Sequence, residues 1–185
     1  MKKTYIIILI FLSQLAISQT TNDLDIKNGF RNFKLGSSPL QNKNIVKNDF
    51  QNPSFPTVVA YKYIGADLKS IFGVEVESIE LSFFKNKLFS IRVSFGDIGK
   101  PFELHEFNSI QGFLEQAYGT KWDNPSNDDG VIANGSIWDG KNIKLELFRV
   151  DFSKSKTNPK EYGFVSGYIH VIDKKLMQEM YKSNL

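Results

Sequence analysis

The feature that most constrains the fold is a strict alternation of apolar and polar residues from position 89 to 95. This period of two is typical of a β-strand with one buried face. An apolar segment at residues 74–84 precedes it, and the link at residues 85–87 is so short that the two strands must form an antiparallel hairpin. The apolar parity of the first segment changes near Glu77 and Ser78, which predicts a β-bulge there. The face expected to be buried carries Phe89, Ile91, Val93 and Phe95.

The rest of the chain supplies elements of both kinds. Apolar residues recur at helical spacing from position 104 to 118, which predicts a long amphipathic helix. Ser38 and Gln41 match a capping box with Pro39 at the first helical position, which predicts a short helix. Asp173 is placed to cap a terminal helix. Further strands are predicted at residues 57–64, 137–138, 143–147 and 162–172, with a turn at Asp139-Gly140.

The order of these elements predicts an α+β fold. It reads as two α-β-β-β units in tandem plus a C-terminal helix. Most connections between strands are too short for a parallel crossover, so we expect a mainly antiparallel sheet with the helices packed on one face. Because no glycine-rich or proline-rich linker divides the chain near its middle, residues 19–185 are predicted to form a single α+β domain.

Residues 1–18 have the pattern of a Sec signal peptide. Lys2 and Lys3 precede an apolar run at residues 5–12, and the small residues Ala16 and Ser18 follow it. The run is too short to cross a bilayer, which takes roughly 18 apolar residues. We therefore expect cleavage after residue 18 and export to the periplasm or the medium. Without a cysteine at the cleavage point, the mature chain should carry no membrane anchor.

Composition narrows the possible chemistry. The chain has no cysteine and only two histidines, His105 and His170. Disulfides, thiolate nucleophiles and metal–thiolate sites are excluded. The 23 basic and 20 acidic residues nearly balance once the two signal-peptide lysines are set aside, which gives no electrostatic case for binding nucleic acid. No phosphate-binding loop or dinucleotide motif is present, and we expect no cofactor.

Several segments resemble a recurring pattern in small uncharacterised bacterial exported proteins. They are residues 29–37, the hairpin at 76–95, residues 117–119, and Trp138 followed by residues 143–145. In architecture, the tandem unit is similar to the β-lactamase inhibitory protein fold and to the related outer-membrane assembly lipoprotein domain. Those families usually carry a disulfide or a lipidated cysteine, and this chain can have neither. The matching positions are mostly apolar or glycine, so the resemblance implies a fold and no catalytic residue.

No residue pattern indicates a catalytic or metal site. His105 lies beside two glutamates on a predicted helix, but helix residues one or two apart do not face each other, so we expect an exposed side chain. His170 falls on the last predicted strand, where an ordinary strand histidine is favoured over one at the mouth of a cleft. The polar loop at residues 123–130 does not match the ligand spacing of an EF-hand and is expected to be a flexible turn. No serine occurs in a Gly-x-Ser-x-Gly motif.

Aromatic residues in predicted loops are the remaining candidates for function. Exposed aromatic side chains near lysines are common anchors in recognition. The leading interpretation is an exported, non-catalytic binding module for a protein or an envelope component. Two alternatives stay open: a small hydrolase that uses carboxylates alone, and an envelope protein that holds an apolar ligand between helix and sheet. The candidate binding residues are Trp122, Phe152, Tyr162 and Phe55.

Overall fold

A computed structural model describes residues 20–49, 53–128, 130–154 and 164–184. The predicted signal peptide lies outside these residues. The α-helices are α1 (Thr21–Lys27), α2 (Leu104–Tyr118) and α3 (Lys174–Ser183). The strands are β1 (Gly29–Phe30), β2 (Phe33–Lys34), β3 (Ile45–Lys47), β4 (Val58–Tyr63), β5 (Ser70–Ile71), β6 (Val74–Glu75), β7 (Ser78–Phe84), β8 (Lys87–Phe95), β9 (Ile132–Asp139), β10 (Ile143–Asp151) and β11 (Val165–Asp173).

The main sheet has seven strands in the order β3-β4-β7-β8-β11-β10-β9, and every neighbouring pair is antiparallel. Strands β4, β7 and β8 follow α1 in the chain, and β9, β10 and β11 follow α2. The two sets meet where β8 pairs with β11, with Val93 opposite Ile169. The predicted α+β class with a mainly antiparallel sheet is confirmed.

The inner face of the sheet is covered by α1 and α2. Phe107, Ile110 and Leu114 of α2 are buried, and they belong to the same apolar cluster as Ile91 of β8. From Ile91 to Phe95, alternate residues of β8 point to the inner face, and residues three or four apart on α2 point to the sheet. These two sets form one buried interface. Phe113 is 45% exposed, because it lies outside the buried stripe of α2.

A bulge in β8 changes the face on which one predicted core residue lies. Ser82 of β7 lies opposite Ser90, whereas Phe83 lies opposite Leu88, so Phe89 is an extra residue. Leu88 joins the inner core, and Phe89 packs on the outer face. The prediction that Phe89 lies on the inner face is wrong, because sequence alternation cannot show where a bulge interrupts it. The irregularity predicted near Glu77 and Ser78 coincides with the break between β6, which ends at Glu75, and β7, which begins at Ser78.

Helix α3 packs on the outer face of the sheet, so the expected placement of all helices on one face is corrected for this helix. Its residues Leu176 and Met180 form a second apolar cluster with Phe84 and Phe89. The carboxylate of Asp173 accepts a hydrogen bond from the Leu176 amide at 2.9 Å, which starts the helix directly after β11. The bulge supplies the apolar patch that α3 covers.

The first α-helix of the structure is α1, at Thr21–Lys27, and not the short helix predicted to begin at Pro39. Pro39–Gln41 is a single 3₁₀ turn, and Leu40 is 97% exposed, so a longer helix there would have no apolar face to bury. Helix α1 instead buries Leu24 in the core. The Asp25 carboxylate accepts hydrogen bonds from three consecutive backbone amides at the β9–β10 turn, at 2.7 to 2.8 Å. Helix α1 is thus bonded to the second set of strands.

The loop at residues 123–130 covers the edge strand β9. The side chain of Asn127 exchanges two hydrogen bonds with the backbone of Ile132, at 2.7 and 2.9 Å. The backbone of Asp123 exchanges two more with Ile137, each at 2.9 Å. These contacts occupy edge groups that could otherwise pair with another chain. Edge protection therefore accounts for the side chain of Asn127 in this polar loop.

Candidate functional site

A row of charged and polar side chains crosses the outer face of the sheet. The strand register places Lys62 opposite Glu80, Glu80 opposite Arg92, Arg92 opposite His170, and His170 opposite Glu146. The row crosses five neighbouring strands. Each acidic residue in it lies opposite a basic one, and opposite charges in cross-strand positions stabilise a sheet, whereas Arg92 and His170 are two basic residues side by side. The row exists only because the sheet register aligns these residues.

Three side chains near the centre of this face form a connected group, the polar triad Ser90, His170 and Glu146. Ser90 Oγ lies 2.7 Å from His170 Nε2, and His170 Nδ1 lies 3.4 Å from Glu146 Oε2. Lys144 Nζ lies 2.7 Å from the other carboxylate oxygen of Glu146. Ser90 is 7% exposed, and the His170 and Glu146 side chains are 20% and 12% exposed. The triad is therefore largely shielded from water.

The environment of Glu146 favours its ionised form. Burial alone would raise the pKa of this carboxyl group, but the contacts with His170 and Lys144 outweigh burial and lower the pKa below its ordinary value of 4.5. Glu146 therefore stays negatively charged beside the imidazole across the neutral range.

This lowered pKa predicts a pH-dependent contribution to stability. Because the folded state holds the Glu146 proton more weakly than the unfolded state, the stabilisation is present above pH 4.5 and is lost as the pH falls through the folded pKa. Glu146→Gln should cost about 1 kcal/mol of unfolding free energy at pH 7, through weaker charged hydrogen bonds. Urea denaturation from pH 7 to pH 3 should show this difference shrinking.

The matched control for that measurement is Glu179→Gln, which makes the same change on α3, away from the polar triad. The control variant should follow the wild-type pH profile throughout. A Glu146→Gln deficit that grows towards pH 3 would contradict the assignment.

A groove of about 370 Å³ lies between α3 and the outer face of the sheet. This volume falls in the range of small-ligand sites, roughly 300–1,000 Å³. Ser90 and His170 of the triad line the groove, with Arg92 and Glu80 at its polar end. The apolar residues that line it are Phe55, Val58, Ala60, Phe89, Met177, Met180 and Tyr181.

Aromatic contacts hold both ends of the groove. At the apolar end, the rings of Phe55 and Tyr181 meet edge to face, with centroids 5.6 Å apart. At the polar end, the Arg92 guanidinium lies 4.2 Å from the centre of the Tyr168 ring. A guanidinium stacked on a ring still presents its N–H edge, so Arg92 can donate hydrogen bonds in this position.

The structure separates the four aromatic residues predicted as binding candidates. Phe55 lines the groove. Trp122 packs against the inner core, and its indole N–H donates to Glu115 Oε1 at 2.9 Å. The ring of Phe152 lies 5.5 Å from that of Phe164 near the end of β10, and Tyr162 lies outside the described residues. Phe55 and Trp122 belong to clusters on opposite faces of the sheet, so they do not share one surface.

The two histidines have different surroundings. His105 is exposed on the first turn of α2, as its sequence neighbours predict. His170 has partners on two other strands, which its sequence neighbours do not reveal. Ser90 and Glu146 are the functional candidates that sequence reasoning missed. Alternation can place each residue on a strand face, but only the strand register places them side by side.

A small recess away from the groove is lined by several carboxylates. Glu75, Glu77, Asp97 and Glu106 line a recess of about 40 Å³, and Lys100 forms an ion pair with Glu75 at its mouth. This space holds little more than a water molecule. A sugar ring between two carboxylates would not fit there. Across the described residues, no group of histidine, aspartate and glutamate side chains is arranged to hold a metal ion.

The polar triad has the order of a nucleophile, a base and an acid, and Ser90 lies in the middle of the sheet. Ser90 is paired on both sides, opposite Ser82 of β7 and Ile172 of β11. Ser90 is therefore not at a turn or at the N-terminus of a helix, where several free backbone amides would point at one oxygen. Acyl transfer needs donors directed at the developing oxyanion, and free backbone amides usually supply them.

Comparison with known proteins gives no match to a family model, a curated protein or a solved structure. Within the described residues, no helix is both long and apolar enough to span a membrane.

Proposed function

We propose that the protein is an exported, non-catalytic binding protein that holds an amphipathic acyl ligand in the groove between α3 and the sheet. The observation that carries this proposal is the division of the groove into an apolar and a polar end. Phe89 and Met177 line the former, and Arg92 and His170 line the latter. A ligand with an alkyl chain and an acidic head matches both ends.

The apolar end supplies most of the binding free energy in this proposal. Phe55 and Met177 are half-buried and Tyr181 is 47% exposed, so a bound chain would remove further apolar surface from water. Methionine side chains adapt to chains of different shape. The site is therefore suited to acyl chains as a class, such as those of envelope lipids.

The polar end supplies orientation. Arg92 is exposed, and Ser90 and His170 lie deeper in the groove. Glu80 stands opposite Arg92 on the neighbouring strand and keeps the local charge near balance, so a single carboxylate is a better match than a highly charged group. In this proposal Arg92 donates hydrogen bonds to the head group, and Ser90 and His170 form the inner wall of the site.

Calorimetric titration with decanoate and with decanol tests the proposal. Phe55→Ala should weaken the binding of both ligands by about tenfold, because it removes part of the apolar wall. Arg92→Gln should weaken the binding of decanoate by about tenfold and leave the binding of decanol nearly unchanged, because only decanoate has a charged head group.

Two matched variants serve as controls. Phe113→Ala removes an exposed ring from α2, and Lys62→Gln removes a charge from the same polar row without lining the groove. Both should bind like the wild type. Absence of saturable binding, or equal effects of the control and groove variants, would overturn the proposal.

Acyl-ester hydrolysis is the second candidate function, favoured by the 2.7 Å contact between Ser90 Oγ and His170 Nε2. Ser90 Oγ would attack the ester carbon while His170 takes its proton and passes it to the departing alcohol. Water would then cleave the acyl-serine by the same route. A fluorophosphonate probe should leave Ser90 unlabelled if the protein only binds. Stoichiometric labelling that His170→Ala abolishes would establish the hydrolase instead.

We also expect the protein to be exported after cleavage of its signal peptide. The intact mass of the exported protein should correspond to a chain that begins at Gln19 without an acyl group. A retained leader or an added lipid would exclude this route. The joining of two sets of strands at the centre of the sheet supports the proposed likeness to the β-lactamase inhibitory protein architecture.

A further inference from the structure

A second pocket, of about 310 Å³, lies on the α2 side of the molecule. It is enclosed by the β1–β2 hairpin, by the segment between β5 and β6, and by the C-terminal half of α2. Its floor includes the buried residues Phe30, Phe33, Leu114 and Tyr118. It shares no lining residue with the groove under α3.

The charged residues that line this pocket are all basic. Lys27, Arg31 and Lys34 are exposed at its rim, and no aspartate or glutamate lines it. In the described part of the chain, none of the three forms an ion pair. Two helix C-termini meet here, that of α1 at Lys27 and that of α2 at Tyr118, and each dipole contributes roughly half a negative charge. The three cations outweigh them, so the pocket keeps a positive excess.

Aromatic rings form the walls beneath these cations. Phe72 stacks on Phe113 with centroids 4.9 Å apart and planes 12° from parallel, which gives a flat surface. Arg31 lies 4.9 Å from the centre of the Phe72 ring, and Lys27 lies 4.6 Å from that of Tyr118. The cations are thus held over ring faces instead of extending freely into water.

The backbone around the pocket adopts costly conformations. Arg31 and Phe72 both have φ of +54°, a region that bulky residues rarely occupy. Gly29 has φ of +153°, and a Cβ there would lie 2.1 Å from the Phe33 carbonyl oxygen. Such strain is typical of segments that clamp ligands, and here it fixes the residues that carry both a cation and an aromatic wall.

We propose that this pocket binds a small planar aromatic molecule carrying a phosphate group. The ring would lie against the apolar floor that Phe30, Phe33 and Leu114 form, beside Phe72, and the phosphate would face Arg31 and Lys34. Guanidinium and ammonium groups together match the charge and the oxygen geometry of a phosphate. Two or more negative charges suit this site, whereas the single charge of a carboxylate suits the groove.

Titration of the isotope-labelled protein with 1-naphthyl phosphate, followed by amide chemical shifts, tests the proposal. Two partial probes accompany it: 1-naphthol has the ring alone, and inorganic phosphate has the charge alone. We expect saturable shifts at Arg31 and Phe72 with naphthyl phosphate, and binding at least tenfold weaker with either partial probe.

The double variant Arg31→Gln with Lys34→Gln should bind naphthyl phosphate at least tenfold more weakly than the wild type. Lys175→Gln, at an exposed position of α3, is the control and should bind it like the wild type. Because the groove is lined by other residues, decanoate affinity should stay the same in the double variant. Equal affinity for 1-naphthol and 1-naphthyl phosphate would overturn the proposal. So would shifts confined to residues outside the pocket.

Discussion

Replacement of Trp138 by alanine is expected to lower the free energy of unfolding by about 4 kcal/mol, the typical cost of removing a large buried aromatic side chain. Trp138 is fully buried, and its indole N–H donates to the Gly119 carbonyl at 2.8 Å. The variant would leave both a cavity in the core and an unpaired carbonyl at the end of α2. Urea denaturation monitored by far-UV circular dichroism measures the loss.

Trp122→Ala is the matched control for this prediction. The two indoles are neighbours, with centroids 6.5 Å apart, but Trp122 is only partly buried. Its replacement should cost less than half as much, about 1 to 2 kcal/mol. Equal losses in the two variants would show that Trp138 is not the centre of this part of the core.

Asp25→Ala is expected to cost about 3 kcal/mol, through the loss of charged hydrogen bonds to the β9–β10 turn. The Asp25 carboxylate accepts from the amides of Lys141, Asn142 and Ile143, at 2.7 to 2.8 Å. Alanine would leave all three amides without this acceptor. Denaturation curves for wild type and variant at the same pH measure the difference.

The control for Asp25 lies two residues earlier on the same helix. Asp23 accepts one hydrogen bond, from the exposed Thr20 amide at 2.8 Å. Asp23→Ala should therefore cost no more than about 1 kcal/mol. If Asp25→Ala cost as little as Asp23→Ala, helix α1 would not contribute to the stability of the second half of the chain.

The sequence carries enough information to predict most of the sheet. Strand β10 follows from alternating residues whose apolar members Ile143, Leu145 and Leu147 are buried, and α2 follows from its helical period. The bulge at Phe89 has no sequence signal, because Phe89 continues the alternation of apolar residues in β8. The outer position of α3 depends on that bulge, so it could not be predicted either.

The candidate site depends on long-range pairing. Ser90 and His170 are 80 positions apart in the chain, yet their side chains are in contact. Alternation places both on the solvent side of their strands, but it does not show which strands are neighbours or in what register. Phe55 could be chosen from the sequence as a loop aromatic, whereas its partner Tyr181 is recognisable only once α3 is placed on the outer face.

Methionine methyl NMR tests the central claim, that the groove under α3 is a ligand site. The chain has three methionines, and two of them, Met177 and Met180, line the groove. With ¹³C-methyl methionine, titration with decanoate should shift the Met177 and Met180 signals along one saturable curve, and Arg92→Gln should move that curve to about tenfold higher ligand concentration. Unchanged Met177 and Met180 signals at saturating decanoate would show that the groove does not bind this ligand.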